Sequence, residues 1–221
     1  MKVGVICYNS EHLKTEQIVQ RLCNNDTIKK INLFALPFKK MKKRKVLFFH
    51  RPNQKEAATA KELAKNKKVF FNHWDGKSYL NNCDIFIITG AGIINPELTN
   101  GKPIINAHPG IIPLVRGLDS FKWAIFHGDP IGITLHFIDE EVDKGNILFI
   151  QKTQVFSDDN IFTLAKRHYQ NEINLLVNFQ NFLTKNFNQI YPMKAPYLRM
   201  PLEIEKQLFD RFEAWKEKQL T

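Results

Sequence analysis

The feature that most constrains the fold is a regular alternation of short apolar runs with amphipathic segments along the 221 residues of the chain. The runs "KVGVICY" and "CDIFIITGAGII" have the length and near-continuous hydrophobicity of buried parallel strands. Segments with a helical period, such as "EHLKTEQIVQRLC", lie between the runs. Because parallel strands are joined by crossover helices, the pattern predicts an α/β fold whose mostly parallel, twisted sheet is flanked by helices.

The same pattern places the remaining elements and a domain boundary. Further strands are predicted at "KVLFFH", "KVFFN", "KPIINAH", "IGITLHFID" and "GNILFIQKTQVF", and further helices at "QKEAATAKELAKN", "LDSFKWAIFHGD" and Ile161–Leu183. The segment "NQIYPMKAPYLRMP" then loses the helical period, and Pro201 starts a charged final helix. We therefore predict a catalytic domain over residues 1–186 and a short C-terminal extension, a hairpin and a helix, over residues 187–221.

Composition narrows the class of protein. A hydrophobic fraction of 43% indicates a globular chain, and no segment is apolar and long enough to span a bilayer. The N-terminus "MKVGVICYNSEH" has too short an apolar part for a secretory signal, so we expect a first buried strand there. The three cysteines are widely spaced in apolar surroundings, which predicts reduced thiols in a cytoplasmic protein rather than a disulfide or a metal site.

The formal net charge of +10 indicates anionic partners. Much of the excess lies in "KKMKKRK", at residues 39–45, where a solvated loop is the simplest interpretation. Contact with nucleic acid, a targeting signal and attraction of a phosphorylated substrate are the alternatives. No aromatic residue interleaves with this run, as a stacking platform for single-stranded nucleic acid would require.

In open α/β sheets, ligands bind beyond the carboxyl ends of the strands, which here carry "TGAG", "NAHPG" and "DEEVDKGN". Asn106 and His108 are two apart on an extended strand and face the same way, and Pro109 ends the strand beside them. An amide and an imidazole can both donate hydrogen bonds to an oxyanion, and Asp143 could orient the imidazole. The structural alternative makes His108 a strand-end residue bonded to a carbonyl and Asp143 a turn residue.

Other chemistries fit this edge less well. No Ser or Cys lies beside a plausible base, which disfavours a covalent acyl-enzyme. The histidines have no metal-ligand spacing, so no metal is expected, and "GAG" lacks the third glycine of a dinucleotide fingerprint. By elimination, the edge suits direct acyl transfer from a donor to an amine.

At this point the residues resemble a known family. "NAHPGIIPLVRG", followed by "GITLHFIDEEVDKGNIL", is similar to the signature of the folate-dependent formyltransferases, over roughly residues 84–155. The resemblance implies a Rossmann-like formyltransferase core, a catalytic set of Asn106, His108 and Asp143, and N10-formyltetrahydrofolate as the formyl donor. It also implies that two loops hold the pterin, with contacts among Gly90, Ala91, Gly92, Ile93 and Ile94 and among Ile138, Asp139, Glu140, Glu141 and Val142.

The resemblance leaves three acceptor classes in competition. Methionyl-tRNA formyltransferases carry a C-terminal β-barrel domain that residues 187–221 are too few to supply. Glycinamide ribonucleotide formyltransferases use a glycine-rich phosphate loop after the first strand, where this chain has "CYNSEHLK". Sugar N-formyltransferases pair the core with a short extension, and the closest similarity is to enzymes that formylate dTDP-4-amino-4,6-dideoxyglucose for O-antigen, lipopolysaccharide and other surface glycans.

A nucleotide-linked amino sugar needs further contacts, and each candidate has a structural alternative. Arg116, Lys77 and Arg199 are candidates for the diphosphate, and Arg51 is a further one. Trp74 and Tyr79 are candidates for stacking on a base or sugar, with a core or rim position as the default. His136, in mid-strand, is expected to be a hydrogen-bonded structural histidine.

The resemblance and the predicted tail hairpin indicate a homodimer, with no nucleic-acid or membrane partner. The competing interpretation from another class is a basic nucleic-acid-binding protein built on an inactive formyltransferase-like core. The intact Asn106, His108 and Asp143 argue against that interpretation.

Overall fold

A mostly parallel sheet forms the centre of the molecule, as predicted. The structure is a computed structural model that describes residues 1–38, 45–139, 145–184 and 195–221. Within these ranges the strands are β1 Lys2–Tyr8, β2 Lys30–Leu36, β3 Val69–His73, β4 Ile85–Ile88, β5 Ile104–His108, β6 Gly132–Phe137 and β7 Ile147–Lys152. They form one sheet in the order β3-β2-β1-β4-β5-β6-β7, in which the pairs β5–β6 and β6–β7 are antiparallel and the other neighbouring pairs are parallel.

Helices cover both the sheet and a second core beside it. They are α1 Leu13–Cys23, α2 Ala60–Leu63, α3 Ser120–His127, α4 Ile161–Val177, α5 Leu202–Glu205 and α6 Gln207–Leu220. The apolar faces of α1 and α4 pack on one face of the sheet, against side chains such as Val5, Ile87 and Leu135. A separate apolar cluster joins α3, α4 and α6 through Phe121, Leu164 and Trp215. No described helix has the length and hydropathy needed to cross a membrane.

One predicted strand was wrong. The strand after α1 is β2, which pairs with β1 along its whole length, from Lys2 opposite Lys30 to Tyr8 opposite Leu36. "KVLFFH" is not a strand, because Phe48 turns into the cluster between α3 and α6 while Phe49 is 80% exposed. The predicted helix "QKEAATAKELAKN" shrinks to α2, which begins at a capping box formed by Thr59 and Glu62.

The C-terminal extension packs on the rest of the chain. The predicted domain boundary and the first half of the segment "NQIYPMKAPYLRMP", where the hairpin is predicted, fall on residues 185–194, outside the described residues. The described part of the tail pairs elsewhere: Tyr197 forms a parallel bridge with Gly117, in the loop before α3. Beyond it, Met200, Leu208 and Phe212 are buried in the cluster that α3 also lines.

A buried ion pair fastens this extension to two other segments. Nζ of Lys122, on α3, donates to Glu205 on α5 and to the backbone oxygen of Phe48, at 2.9 Å. The second carboxylate oxygen of Glu205 accepts from the backbone N–H of Leu47, at 3.0 Å. Both charged side chains are essentially inaccessible to solvent, so each depends on the other for compensation.

We expect Glu205→Gln to lower the free energy of unfolding by about 3–5 kcal/mol, because it leaves Lys122 buried without its counter-charge. Urea unfolding of the purified protein measures this loss. The matched control is Glu203→Gln, two residues away, where the exposed pair with Lys206 contributes about 1 kcal/mol or less. Equal losses in the two variants would contradict the assignment.

Candidate active site

The end of β5 gathers polar residues on one face of the sheet. In the antiparallel pairing of β5 with β6, Asn106 lies opposite His136 and His108 lies opposite Thr134. Cross-strand partners share a face and alternate residues face the same way, so these side chains project together. The hydroxyl of Thr134 bonds the backbone of the following turn, donating to Gly110 O at 2.7 Å.

His108 is held in one orientation. Its side chain is buried, and Nε2 lies 3.2 Å from the backbone oxygen of Val115 and 3.2 Å from Oγ of Ser120. Ser120 donates its own hydrogen to Gly117 O at 2.9 Å, so both neighbours of Nε2 act as acceptors. Nε2 of His108 therefore carries a hydrogen, and Nδ1 bears the lone pair when the ring is neutral. The carbonyl contact foreseen in the structural alternative is present.

Asn106 is oriented by a residue to which the sequence assigned only a structural place. Nδ1 of His136 lies 2.8 Å from the backbone oxygen of Phe137, so this nitrogen carries the hydrogen. Nε2 of His136 is then an acceptor, and it faces Nδ2 of Asn106 at 3.4 Å. This contact points the NH2 group, not the oxygen, of Asn106 along the β5–β6 face. The pairing of Asn106 with His136 across the strands identifies His136 as a residue of the site. Sequence periodicity does not give this pairing.

The acidic turn is only partly described. Asp143, Glu140, Glu141 and Val142 lie outside the described residues, so their predicted roles stay predictions. Ile138 and Asp139 follow β6 directly, and the backbone N–H of Ile138 extends the sheet by donating to Ile104 O at 2.8 Å. Because β6 runs antiparallel to β5, the turn starts beside the amino end of β5, so the predicted placement of its start on the carboxyl edge is wrong.

The loop after β4 has the chemistry that a planar heterocycle needs. Among the described residues, the backbone N–H and C=O groups of Ala91, Gly92 and Ile93 have no hydrogen-bond partner, which leaves them available to a ligand. Ile93 is 81% exposed, and a Cβ on Gly92 would meet no atom within 4 Å. At Gly90, by contrast, a Cβ would lie 2.7 Å from Tyr8 and 2.8 Å from His12. The loop thus fits the predicted pterin contact, with open space at Gly92 and Ile93.

A buried charge network lies behind the site. Glu172 accepts from Nζ of Lys14 at 2.6 Å and from Nη2 of Arg51 at 2.7 Å. Burial alone would raise the pKa of Glu172, but the charges of Arg51 and Lys14 hold that pKa at about 2. Burial also lowers the pKa of three histidines around the network, His12 to about 4, His50 to about 3 and His168 to about 4.

The predicted acceptor residues divide into two groups, of which the first lies near His108. Arg116 is buried, not a surface residue, and its backbone oxygen accepts from Tyr197 N at 2.8 Å. Leu118 N donates in turn to Tyr197 O at 2.8 Å, so the "LVRG" segment pairs with the tail. Arg199 follows on that tail and donates from Nη1 to Asp119, at 3.1 Å.

The second group lies at the far side of the sheet. Trp74 is buried and bonds Ser78 O at 2.8 Å, which is the core position given as the default and removes its ring from stacking on a ligand. Lys77 and Tyr79 are exposed in the same loop. This loop follows β3, four strands from β5, which corresponds to about 19 Å from Asn106. A groove of about 420 Å³ between the ends of β2 and β3 is lined by His73, Trp74 and Asp75.

The described residues contain no cluster of three or more His, Cys, Asp or Glu side chains that could hold a metal ion. Cys7, Cys23 and Cys83 are free thiols, as predicted. Burial raises the pKa of the Cys7 thiol to about 12, so it has no thiolate character near neutral pH.

The comparison with protein families decides whether the resemblance to the formyltransferases holds. Residues 2–180 match the family described as Formyl transferase, which covers β1 to α4 and both polar loops. The chain belongs to the formyl transferase family. The family resemblance inferred from "NAHPGIIPLVRG" is confirmed.

Curated relatives share the formyl transferase core. The phosphoribosylglycinamide formyltransferase of Haemophilus influenzae is 37% identical over 101 residues, which are 42% of this chain and 47% of the relative. The methionyl-tRNA formyltransferase of Sulfurimonas denitrificans is 27% identical over 154 residues, 68% of this chain and 50% of the relative. The chain thus spans about half the length of the curated relatives it matches.

Solved structures show the same fold. An N-formyltransferase from Helicobacter canadensis, in complex with folinic acid and dTDP-3-aminofucose, has a TM-score of 0.68 at 16% identity, covering 97% of this chain and 80% of that one. The formyltransferase PseJ from Anoxybacillus kamchatkensis, in complex with a UDP-linked formamido sugar and tetrahydrofolate, has a TM-score of 0.54 at 18% identity, covering 99% of this chain and 97% of that one. The predicted α/β formyltransferase fold is confirmed.

We expect Gly117→Ala to destabilise the protein more than Gly101→Ala. Both glycines have a positive φ, +87° and +75°, so each variant incurs about 1–2 kcal/mol of backbone strain. Only at Gly117 would the new Cβ also lie 2.4 Å from Tyr197 O, and that overlap adds about 1–3 kcal/mol. Chemical unfolding of both variants measures the difference, and equal losses would show that the tail does not pair with this loop.

We expect the melting temperature to fall as the pH decreases from about 7 to about 4.5. Because the pKa of His12, His50 and His168 lies below its ordinary value in the folded protein, the unfolded chain binds protons first and unfolding is favoured. His168→Gln should flatten this dependence, whereas His73→Gln, at an exposed position, should not. Thermal scans across this range that coincide for His168→Gln and the parent protein would contradict the assignment.

Proposed function

We propose that this protein is a folate-dependent formyltransferase that transfers a formyl group from N10-formyltetrahydrofolate to the amino group of a nucleotide-linked amino sugar. The proposed acceptor is dTDP-4-amino-4,6-dideoxyglucose, used for surface glycans. The observation that carries the proposal is the end of β5 in a chain of the formyl transferase family. There, Asn106 and His108 face the same side beside the loop after β4, whose backbone at Ala91, Gly92 and Ile93 has no partner among the described residues.

The start of α1 favours a sugar acceptor over a phosphoribosyl amine. The first backbone N–H groups of a helix form an anion site, and a glycine-rich loop before α1 would present them to a phosphate. In this chain Leu13 N donates to Gln54 O at 2.9 Å, and Lys14 N donates to Gln54 Oε1 at 3.1 Å. These N–H groups are therefore already used, and the rings of Tyr8 and His12 contact each other just before the helix, with centroids 5.5 Å apart.

Ligands of the structural neighbours support the same acceptor class. The neighbours from Helicobacter canadensis and Anoxybacillus kamchatkensis were each solved with a folate and a nucleotide-linked sugar. The curated relatives act on other acceptors, but this chain matches only about half of their length. The part they share lies within the formyl transferase core, at residues 2–180 of this chain.

The chain's residues suggest how transfer proceeds. The folate supplies an activated formyl group, and the acceptor amine attacks its carbon. Nδ2 of Asn106, oriented by His136, and the imidazolium of His108 then donate to the oxyanion that develops. Because Nε2 of His108 is bonded to Val115 O, Nδ1–H is the group of the imidazolium that donates to the oxyanion. In this proposal Asp143 holds that imidazolium and relays the amine proton to the departing folate nitrogen.

Several predictions about the whole protein belong to this proposal. They are the division into a catalytic domain over residues 1–186 and an extension over residues 187–221, the cytoplasmic location and the homodimer. The extension's contacts with α3 give it a role within the chain, beside the proposed role between subunits.

We expect His108→Ala and Asn106→Ala each to reduce formyl transfer to the dTDP-linked amino sugar by about a hundredfold or more, because each removes an oxyanion donor. Steady-state turnover with N10-formyltetrahydrofolate measures the loss. Folinic acid binding should persist in both variants, which separates a catalytic defect from a folding defect. Glu213→Gln, on the exposed face of α6, is the control and should keep parental turnover. Near-parental turnover of both site variants would refute the mechanism.

A further inference from the structure

We propose that Arg51 and Arg199 together bind the diphosphate of the nucleotide-linked acceptor, one from each side of the first turn of α3. This inference rests on the proposed function. It names the residues that would recognise the diphosphate, which are connected to His108 through α3.

A short chain of contacts connects Arg199 with the catalytic histidine. Ser120 lies 3.2 Å from Nε2 of His108 and is the first residue of α3. The residue before it, Asp119, accepts from Nη1 of Arg199 at 3.1 Å and from the backbone N–H of Met200 at 3.0 Å. Asp119 therefore fixes both the guanidinium and the tail that carries it. The side chain of Arg199 is 45% exposed, so it is accessible to a ligand from solvent.

His50, the residue before Arg51, contacts the same end of α3 from another segment, while Arg51 itself bonds Glu172 on α4. The ring of His50 stacks on Phe121, with centroids 6.0 Å apart and planes inclined by 8°. Phe121 in turn contacts His168, whose Nε2 lies 3.3 Å from the backbone oxygen of Pro109, next to His108. The segment that carries Arg51 thus crosses the start of α3 directly behind the catalytic strand end.

The two arginines flank one pair of rings. The rings of Tyr8 and His12 are in edge contact at the carboxyl end of β1. Burial raises the pKa of Tyr8 and the charge of Arg199 opposes that rise, while burial, Lys14 and Arg51 lower the pKa of His12. Each guanidinium is therefore close enough to act electrostatically on one ring of the pair.

Both guanidinium groups have donors to spare. Arg51 donates from Nη2 to Glu172, and among the described residues its other N–H groups have no acceptor. Arg199 likewise makes a single hydrogen bond within the described ranges, to Asp119. Glu172 already faces Lys14, so the group of Lys14, Arg51 and Glu172 carries one excess positive charge. Two anchored arginines with unused, partly exposed forks match the geometry of phosphate oxygens.

A diphosphate suits this arrangement better than a single phosphate. Two guanidinium groups approach from different segments, so each can bind one phosphoryl group of a diphosphate, whereas a monophosphate would engage one of them fully. Phosphate oxygens that can bind arginine are present both in nucleoside diphosphates and in a phosphoribosyl amine. The experiment must therefore separate these two sources.

The test is equilibrium binding measured by calorimetry on the full chain, with four probes: inorganic pyrophosphate, dTDP, ribose 5-phosphate and thymidine. The variants are Arg51→Gln, Arg199→Gln and Arg51→Lys, which keeps the charge beside Glu172 should the glutamine variant fold poorly. Arg211→Gln is the matched control, because this exposed arginine contacts Phe126 at the opposite end of α3. Folinic acid binding is measured in parallel for every protein.

We expect the parent protein to bind pyrophosphate and dTDP more tightly than ribose 5-phosphate. Arg51→Gln and Arg199→Gln should each weaken pyrophosphate and dTDP binding about tenfold or more, while thymidine and folinic acid binding and the Arg211→Gln control stay unchanged. Parental pyrophosphate affinity in Arg51→Lys and Arg199→Gln, or a preference for ribose 5-phosphate, would overturn the inference. If the parent protein does not bind folinic acid, the proposed function is refuted. The pyrophosphate result then tests only whether the two arginines bind a diphosphate.

Discussion

The two backbone hydrogen bonds between Tyr197 and the 116–118 loop are the interaction on which the site depends. They hold the turn at Gly117, whose backbone oxygen accepts the hydrogen of Ser120. Ser120 is thereby left as an acceptor for His108, which fixes the ring and its tautomer. The orientation of the His108 imidazole on β5 is therefore determined partly by residues about ninety positions later in the chain.

This coupling gives the C-terminal extension a place in the chemistry. Its tail carries Arg199 to Asp119, and its first helix supplies Glu205 to the buried Lys122. Glu205 also fixes the backbone at Leu47, a few residues before the segment that crosses α3 with Arg51. The segments that carry both arginines of the proposed diphosphate site are thus attached to the extension, which in our proposal links acceptor binding to Asn106 and His108 on β5.

Sequence reasoning was sufficient where local pattern alone determines structure. The apolar run that ends at Pro109 predicts both β5 and the side-by-side placement of Asn106 and His108. It failed where pairing decides: Lys30–Leu36 and "KVLFFH" are similarly apolar, and only the contact with β1 makes β2 the strand. His136 and Trp74 show the same limit, because cross-strand register gives the first a role at the site and core packing removes the second from it.

The most direct test of the account is product identification with a labelled donor. N10-formyltetrahydrofolate carrying a labelled formyl group would be offered, with the purified chain, to dTDP-4-amino-4,6-dideoxyglucose, its UDP- and GDP-linked counterparts, glycinamide ribonucleotide and methionyl-tRNA. Mass spectrometry then shows which acceptor carries the label. The account predicts a formamide on the nucleotide-linked sugar, with the dTDP form preferred. Label found on glycinamide ribonucleotide or methionyl-tRNA, with none on any sugar, would contradict it.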